Sequence, residues 1–280
     1  MSIKNHPASP PDIPGLRSRA LNLRRKMMAM ARGKGEGYIA QGLGIADCLA
    51  AIYFHELRYD SANPTWSERD RFVLSTGHYS IAMYATLAEA GYIDAAELPT
   101  YGLNGSRLPM STFDDLPGVE VVGGSLGHGL GQAVGMAMGL RLDGSEARVI
   151  CELSDGELEE GSTWEAAMAS ATFKCDNLVA LIDCNGIQAD GPITVKIEPV
   201  ADKFAAFGWD TAEVNGNDMA ELVDALARMR ARDEKPKAIV MRTTPGFGVP
   251  TIMKRERAHF VRVDNSEWDA LVAELERENG

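Results

Sequence analysis

Cysteine is scarce in this sequence, and long apolar runs are absent. Nothing at the start resembles the apolar core of a signal peptide, and no apolar stretch is long enough to cross a bilayer. The few cysteines show neither metal-ligand spacing nor the density of a secreted, disulfide-stapled chain. We therefore expect reduced thiols, no membrane span and a cytoplasmic location. The cysteines are Cys48, Cys151, Cys175 and Cys184.

Positive charge is also in deficit. The 280 residues include 28 basic and 40 acidic side chains, for a formal net charge of −12. This balance argues against binding to nucleic acid or to an anionic membrane surface. It does not exclude anionic small molecules, because a pocket can be locally positive. The length allows one large α/β domain, or two small ones, with an ample core.

The most informative stretch runs from residue 149 to residue 191. An apolar run (149–153) is followed by Ser154-Asp155-Gly156, an acidic segment and an alanine-rich stretch of good helix formers (164–173). A second apolar run (178–182) then ends in polar residues 183–186. This order of strand, acidic loop, helix, strand and polar turn predicts one βαβ unit.

Hard oxygen ligands follow both predicted strands. Asp155 comes directly after the first and Asn185 after the second, and the carboxyl ends of adjacent parallel strands face the same crevice. A carboxylate, an amide oxygen and a carbonyl from the turn at Gly186-Ile187 suit Mg²⁺, which completes its shell with phosphate and water oxygens. Backbone N–H groups around Gly156 can receive the phosphate.

This stretch resembles the thiamine diphosphate motif of the transketolase family. The resemblance implies that Asp155 and Asn185 are side-chain ligands of Mg²⁺, with Ca²⁺ or Mn²⁺ as substitutes, and that Ile187 gives its carbonyl. It also implies that Gly156 and Glu157 bind the cofactor. Ser154 and Cys184 depart from the family pattern at positions that supply no ligand there.

Further motifs extend the resemblance from about residue 16 to residue 259. Residues 69–75 (RDRFVLS) precede Thr76-Gly77-His78, and the resemblance implies that His78 contacts the cofactor diphosphate and the reaction centre. Gly124 and Leu126 lie in a glycine-rich stretch (122–129) and are implied to hold the aminopyrimidine and the cofactor ring. His259 is implied to reach the diphosphate.

Two substrate-contacting histidines of the family are missing. Tyr38 stands where the first belongs, and residues 107–112 (RLPMST) contain no histidine at the second. His128 replaces the usual glutamine of the glycine-rich stretch and adds a titratable group. We therefore consider Tyr38 and His128 as substrate-site candidates and expect a non-standard sugar substrate.

The resemblance also implies the domain organisation and a partner. Residues 1–15 are expected to be a flexible arm, and residues 16–280 an α/β domain of the thiamine diphosphate-binding fold, with a mostly parallel sheet and helices on both faces. The match covers the family's N-terminal domain. The expected partner is therefore a C-terminal subunit that carries the pyrimidine domain and the catalytic glutamate, in an α2β2 heterotetramer.

The activity implied is transfer of a two-carbon ketol unit from a ketose to an aldehyde, with His78, His259 and Glu160 as catalytic candidates. Glu160 matches a family carboxylate at the interface between active sites; a solvated acidic helix start explains it equally well from sequence alone. Two alternatives remain open: an acyloin-forming or 2-oxo-acid-decarboxylating enzyme that uses the same cofactor, and a non-catalytic scaffold subunit.

Overall fold

The computed structural model describes residues 10–113, 115–189 and 191–278. Its strands are β1 (Glu36–Gly37), β2 (Arg71–Leu74), β3 (Val149–Ser154), β4 (Leu178–Cys184), β5 (Ile187–Gln188), β6 (Gly191–Pro192), β7 (Asp210–Asn215), β8 (Lys237–Arg242) and β9 (Val261–Arg262). A central five-stranded sheet has the order β2-β3-β4-β8-β7, and all its neighbouring pairs are parallel.

The helices cover both faces of this sheet. Side chains alternate in direction along each strand, so strands that are apolar throughout present an apolar surface on each face. Ile150, Leu181 and Ile239 belong to the core on one face, whereas Cys151 and Val240 belong to the core on the other. The predicted α/β fold with a parallel sheet is thereby confirmed.

The helices are α1 (Ile13–Lys34), α2 (Ile39–Ala51), α3 (Ser80–Glu89), α4 (Gly129–Leu142), α5 (Gly161–Thr172), α6 (Val200–Ala206), α7 (Met219–Arg228), α8 (Pro250–Met253) and α9 (Trp268–Glu278).

None of the helices in the described part of the chain combines the length and hydropathy that a membrane crossing requires.

The first helix begins inside the expected N-terminal arm. α1 starts at Ile13, where the Asp12 side chain accepts a hydrogen bond from the Gly15 amide at 3.0 Å and a proline stands in the first turn. Both features stabilise a helix start. The predicted boundary at Gly15 is therefore too late, and residues 1–9 of the arm lie outside the described residues.

The second helix also begins earlier than its apolar pattern suggests. The strongly apolar run of this region begins at Ile45, but α2 starts at Ile39 and includes Gly42 and Gly44. A Cβ atom at Gly42 would lie 3.0 Å from the side chains of Ile81 and Met27. These glycines let the helix pack closely against its neighbours, which outweighs their poor helix propensity.

A short antiparallel pair brings distant parts of the chain together. β1 pairs with β9, with Glu36 opposite Arg262 and Gly37 opposite Val261. The residues that precede β9 consequently lie beside Tyr38, at the start of α2.

The loop after β2 crosses the glycine-rich segment before α4 at van der Waals distance. A Cβ atom at Gly77 would lie 2.1 Å from the carbonyl carbon of Gly123 and 2.5 Å from the Gly124 nitrogen. The Gly124 amide donates to the Ser75 carbonyl at 3.1 Å, and the Thr112 amide donates to the Gly77 carbonyl at 3.1 Å. Only a residue without a side chain fits this crossing.

We predict that Gly77→Ala lowers the free energy of unfolding by about 1–3 kcal/mol, because backbone atoms would have to move to admit the methyl group. Denaturant unfolding of the full chain measures this change.

Gly135→Ala is the matched control. Gly135 lies within α4, and a Cβ atom there would meet nothing within 4 Å. Alanine should therefore raise stability by about 0.5–1 kcal/mol through its better helix propensity. Equal effects of the two substitutions would contradict the crossing.

Candidate functional site

A cavity of about 720 Å³ lies at the carboxyl ends of the parallel strands, where the segments after β2, β3 and β4 meet. Most of the residues singled out from the sequence line it. Its lining consists of Tyr38, His78, Tyr79, Met110, Ser111, Gly124, Leu126, Ser154, Gly156, Glu159, Glu160, Ile187, Gln188, Ala189, His259 and Phe260.

Asp155 lies just beneath this lining, at the end of β3, and is 2% exposed. Its carboxylate oxygens accept hydrogen bonds from the Gly156 amide at 2.8 Å and the Gly186 amide at 2.6 Å. Burial raises the pKa of Asp155 to about 7, although the Gly186 amide acts in the opposite direction. A carboxylate buried in this way is stabilised by a nearby cation.

Asn185 is held in one orientation by its amide nitrogen. That nitrogen donates to the Tyr79 hydroxyl at 2.9 Å and to Asp183 at 2.8 Å, and the Tyr79 hydroxyl donates to the same Asp183 oxygen at 2.8 Å. The amide oxygen of Asn185 accepts from the Ile187 amide at 3.0 Å. The oxygen thus lies on the side of the turn that also carries Ile187, as a metal ligand would require.

Glu157, which the resemblance implies to bind cofactor, is not among the residues that line the cavity. It is fully buried and accepts hydrogen bonds from the Ser75 hydroxyl and from the Gly127 amide, the latter at 2.8 Å. Burial raises its pKa, although the Ser75 hydroxyl lowers it. Its side chain turns inward and fastens the glycine-rich segment to the end of β2.

Aromatic rings form one wall of the cavity. Tyr38 makes edge-to-face contacts with His78, His259 and Phe260, with ring centroids 4.9, 5.4 and 5.1 Å apart. The two imidazoles are 5.3 Å apart. Burial, with a smaller effect from His259, lowers the pKa of His78 to about 3, so His78 is a neutral imidazole near neutral pH.

The glycine-rich segment forms the facing wall. Gly124 adopts a φ of +109° and lies beside Ser111, whose hydroxyl donates to the Gly123 carbonyl at 3.2 Å. Leu126 is partly buried and provides an apolar surface. An aromatic ligand can therefore lie against Leu126 with backbone groups at its edge.

His128, a substrate-site candidate from the sequence, is not among the residues that line the cavity. It is exposed and lines a different groove, beside Glu165. The following residue, Gly129, packs inward, and its amide donates to the Ser75 hydroxyl at 3.1 Å. That contact leaves the His128 side chain on the outer surface. Glu160, by contrast, lines the cavity itself.

The donor set is compatible with a divalent ion that also binds phosphate. Within residues 10–113, 115–189 and 191–278, no group of three or more histidine, cysteine or acidic side chains could form a metal cluster. No lysine or arginine among the described residues lines the cavity.

Several lining or supporting residues were not identified from sequence. Phe260 and Tyr79 adjoin predicted histidines, and their proximity to these was the available signal. Gln41, in the first turn of α2, contacts the His259 ring. In the sequence, the only indication of such a role is that Gln41 is a polar residue in an otherwise apolar helix start. Met110 lies in the segment singled out for its missing histidine.

Comparisons with known proteins agree with the family resemblance seen in the sequence. The family described as transketolase, thiamine diphosphate binding domain, matches residues 17–277. An uncharacterized transketolase family protein of Sinorhizobium fredii is 51% identical over 257 residues, covering 90% of this chain and 92% of its own.

Two further relatives are named as parts of divided transketolases. The 6-deoxy-6-sulfo-D-fructose transketolase subunit of a Clostridium species is 37% identical, covering 92% of this chain and 95% of its own. An apulose-4-phosphate transketolase subunit of Phocaeicola vulgatus is 35% identical, covering 91% and 94%.

Among solved structures, transketolase from Campylobacter jejuni superposes with a TM-score of 0.87 at 29% identity. The alignment covers 97% of this chain but only 43% of that one. The chain therefore belongs to the transketolase family, of which it contains the thiamine diphosphate-binding domain.

Proposed function

We propose that this chain is the cofactor-binding N-terminal subunit of a split transketolase, which transfers a two-carbon ketol unit from a ketose donor to an aldehyde. The observation that carries the proposal is the placement of Asp155 and Asn185 after adjacent strands, beside a cavity lined by Gly156 and Ile187. The two relatives named as transketolase subunits match this chain over more than 90% of its length, which supports a similar division of the enzyme.

The cofactor diphosphate would be held chiefly through Mg²⁺, with Ca²⁺ or Mn²⁺ as substitutes. Asp155 and Asn185 would supply side-chain oxygens and Ile187 a carbonyl, while the Gly156 region would donate backbone N–H groups. A buried carboxylate whose pKa is raised to about 7 fits a site completed by a cation. Because the described lining carries no lysine or arginine, the metal would balance most of the diphosphate charge.

Thiamine diphosphate, when bound, supplies the carbon nucleophile that makes and breaks bonds at the ketose carbonyl. The residues of this chain position and shield it. His78 and His259, our catalytic candidates, both line the cavity, and His78 is a neutral imidazole near neutral pH. Leu126 provides the apolar wall. Glu160 places a carboxylate at the cavity edge.

A partner subunit is supported by an uncovered face of α4 and α5. A Cβ atom at Gly131, Gly135 or Gly139 would meet nothing within 4 Å, although these residues share one side of α4. Leu142 is 86% exposed and Phe173 52%. We infer that a C-terminal subunit, carrying the pyrimidine domain and the catalytic glutamate, packs here in an α2β2 heterotetramer.

A non-standard substrate is supported by the wall opposite Leu126. Tyr38 lines the cavity where the family has an imidazole that contacts sugar hydroxyls, and the segment 107–112, which contributes Met110 and Ser111 to the lining, contains no histidine. A tyrosine donates one hydrogen bond from a bulkier ring. Relatives of similar length are named for sulfofructose and apulose 4-phosphate, which are not the ordinary pentose phosphates.

We predict that Asp155→Asn abolishes Mg²⁺-dependent binding of thiamine diphosphate, because the amide removes the single negative ligand while keeping its shape. Calorimetry of the full chain with cofactor and Mg²⁺ measures the affinity. Asp202→Asn, at an exposed carboxylate of α6, is the matched control and should bind as the wild type does. If Asp155→Asn is folded and binds the cofactor with unchanged affinity, Asp155 is excluded as the ligand.

We predict that the purified chain turns over no ketose phosphate until the partner subunit is added. Light scattering should show a larger complex on mixing, independently of substrate. Gly135→Leu should prevent this assembly, because the leucine side chain would project from the face of α4 on which we expect the partner to pack closely. Ala220→Leu, on the exposed side of α7, should leave assembly unchanged. Turnover by the lone chain at the rate of the mixture would refute the division into subunits.

We predict that the reconstituted complex uses xylulose 5-phosphate and ribose 5-phosphate with a kcat/KM below about 10⁴ M⁻¹s⁻¹, the lower end of ordinary enzymes. Tyr38→His should raise this value roughly tenfold, the worth of one well-placed hydrogen bond, because the smaller imidazole suits a sugar hydroxyl better than the phenol does. Tyr38→Phe, which keeps the ring and loses the hydroxyl, should not. An ordinary kcat/KM for the unaltered complex would show that Tyr38 does not disfavour the common sugars.

A further inference from the structure

Gln41 is a buried polar residue that the proposed chemistry does not yet use. It lies in the first turn of α2, where every residue is buried, and is 1% exposed. The helix backbone around it is fixed, because the Gly246 amide donates to the Ala40 carbonyl at 2.7 Å. An amide buried among apolar residues costs stability unless it is hydrogen-bonded.

The partner of Gln41 is the His259 ring. The Nε2 atom of Gln41 lies 2.9 Å from Nδ1 of His259, a contact that spans 218 residues of sequence. Among the described residues, the amide oxygen Oε1 of Gln41 has no hydrogen-bond partner. The contact with His259 is therefore the polar interaction that accounts for Gln41 in this position.

The orientation of the Gln41 amide determines which tautomer of His259 fits this contact. An amide nitrogen only donates, so Nδ1 must accept, and the proton of a neutral imidazole must then be on Nε2. The hydrogen-bonding character of the ring is thereby set by its tautomer.

The tautomer matters because His259 lines the cavity, in which the described residues include no lysine or arginine. A phosphate or hydroxyl oxygen is attracted by a ring N–H and repelled by a ring lone pair. We propose that Gln41 is a positioning residue that holds His259 as the Nε2–H tautomer, so that the ring donates a hydrogen bond to an oxygen of the bound ligand. The donor role rests on the proposed function, whereas the tautomer does not.

The first test is NMR of the full chain labelled with ¹⁵N-histidine, using two-bond ¹H–¹⁵N correlations of the imidazole rings. His259 is assigned by the loss of its signals in His259→Asn. The expected result is a protonated Nε2 in the wild type and a proton transferred to Nδ1 in Gln41→Glu, because the isosteric carboxylate only accepts. Gln132→Glu, at an exposed glutamine of α4, is the matched control and should leave the His259 signals unchanged.

A wild-type ring protonated on Nδ1 would overturn the proposal without any variant. An unchanged tautomer in Gln41→Glu would overturn it as well. Gln41→Leu, which removes the donor at similar volume, should give a mixture of tautomers, and thermal unfolding should show that each variant is folded.

The second test measures the donor role with inorganic diphosphate and Mg²⁺ by calorimetry. Gln41→Glu, which moves the proton to Nδ1, should weaken binding by at least about tenfold, as expected for loss of one hydrogen bond to a charged group. Gln41→Leu, with its mixture of tautomers, should weaken binding less. A changed tautomer with unchanged affinity would overturn the donor role. If the wild-type chain binds no diphosphate, the proposed function and the donor role both fail, and the NMR result alone decides the tautomer.

Discussion

The site depends on one carboxylate that bridges the ends of two parallel strands. Asp155 follows β3, and its oxygens accept from Gly156 and from Gly186, which follows β4. Parallel pairing places both strand ends at one edge of the sheet, with Ser154 opposite Asp183. The carboxylate is thus held beneath the cavity by the backbone it orders, and the position of the Asn185 turn follows from the same contact.

Charge is distributed unequally between the two ends of the sheet. At the end away from the cavity, Glu56 is buried; burial raises its pKa, but Arg230 and Arg148 outweigh that effect and hold it below the ordinary value. At the cavity end, Glu152 and Asp183 are fully buried and hydrogen-bonded by hydroxyl groups, and burial raises the pKa of both. Within the described part of the chain, these two acids form no ion pair with lysine or arginine, as expected of a functional site that is not optimised for stability.

The aromatic wall shows how the fold assembles a surface from remote segments. Tyr38 precedes α2, His78 follows β2, and His259 with Phe260 precedes β9. The antiparallel pair β1–β9 holds the last segment against the first. Replacing an imidazole by a phenol at Tyr38 therefore alters a surface shared by several elements, since its ring contacts His78, His259 and Phe260 together.

Sequence alone determined the parallel fold and the residues at the strand ends, because alternating apolar runs and the motif at Asp155 and Asn185 are local patterns. It did not indicate that Glu157 is buried in the core or that His128 lines a separate groove, since the direction of a side chain depends on what its neighbours pack against. It also missed Gln41, whose partner His259 is 218 residues away. Contacts across such a separation have no local signature; they arise only when burial and strand pairing bring the segments together, and for this reason the tertiary structure decided them.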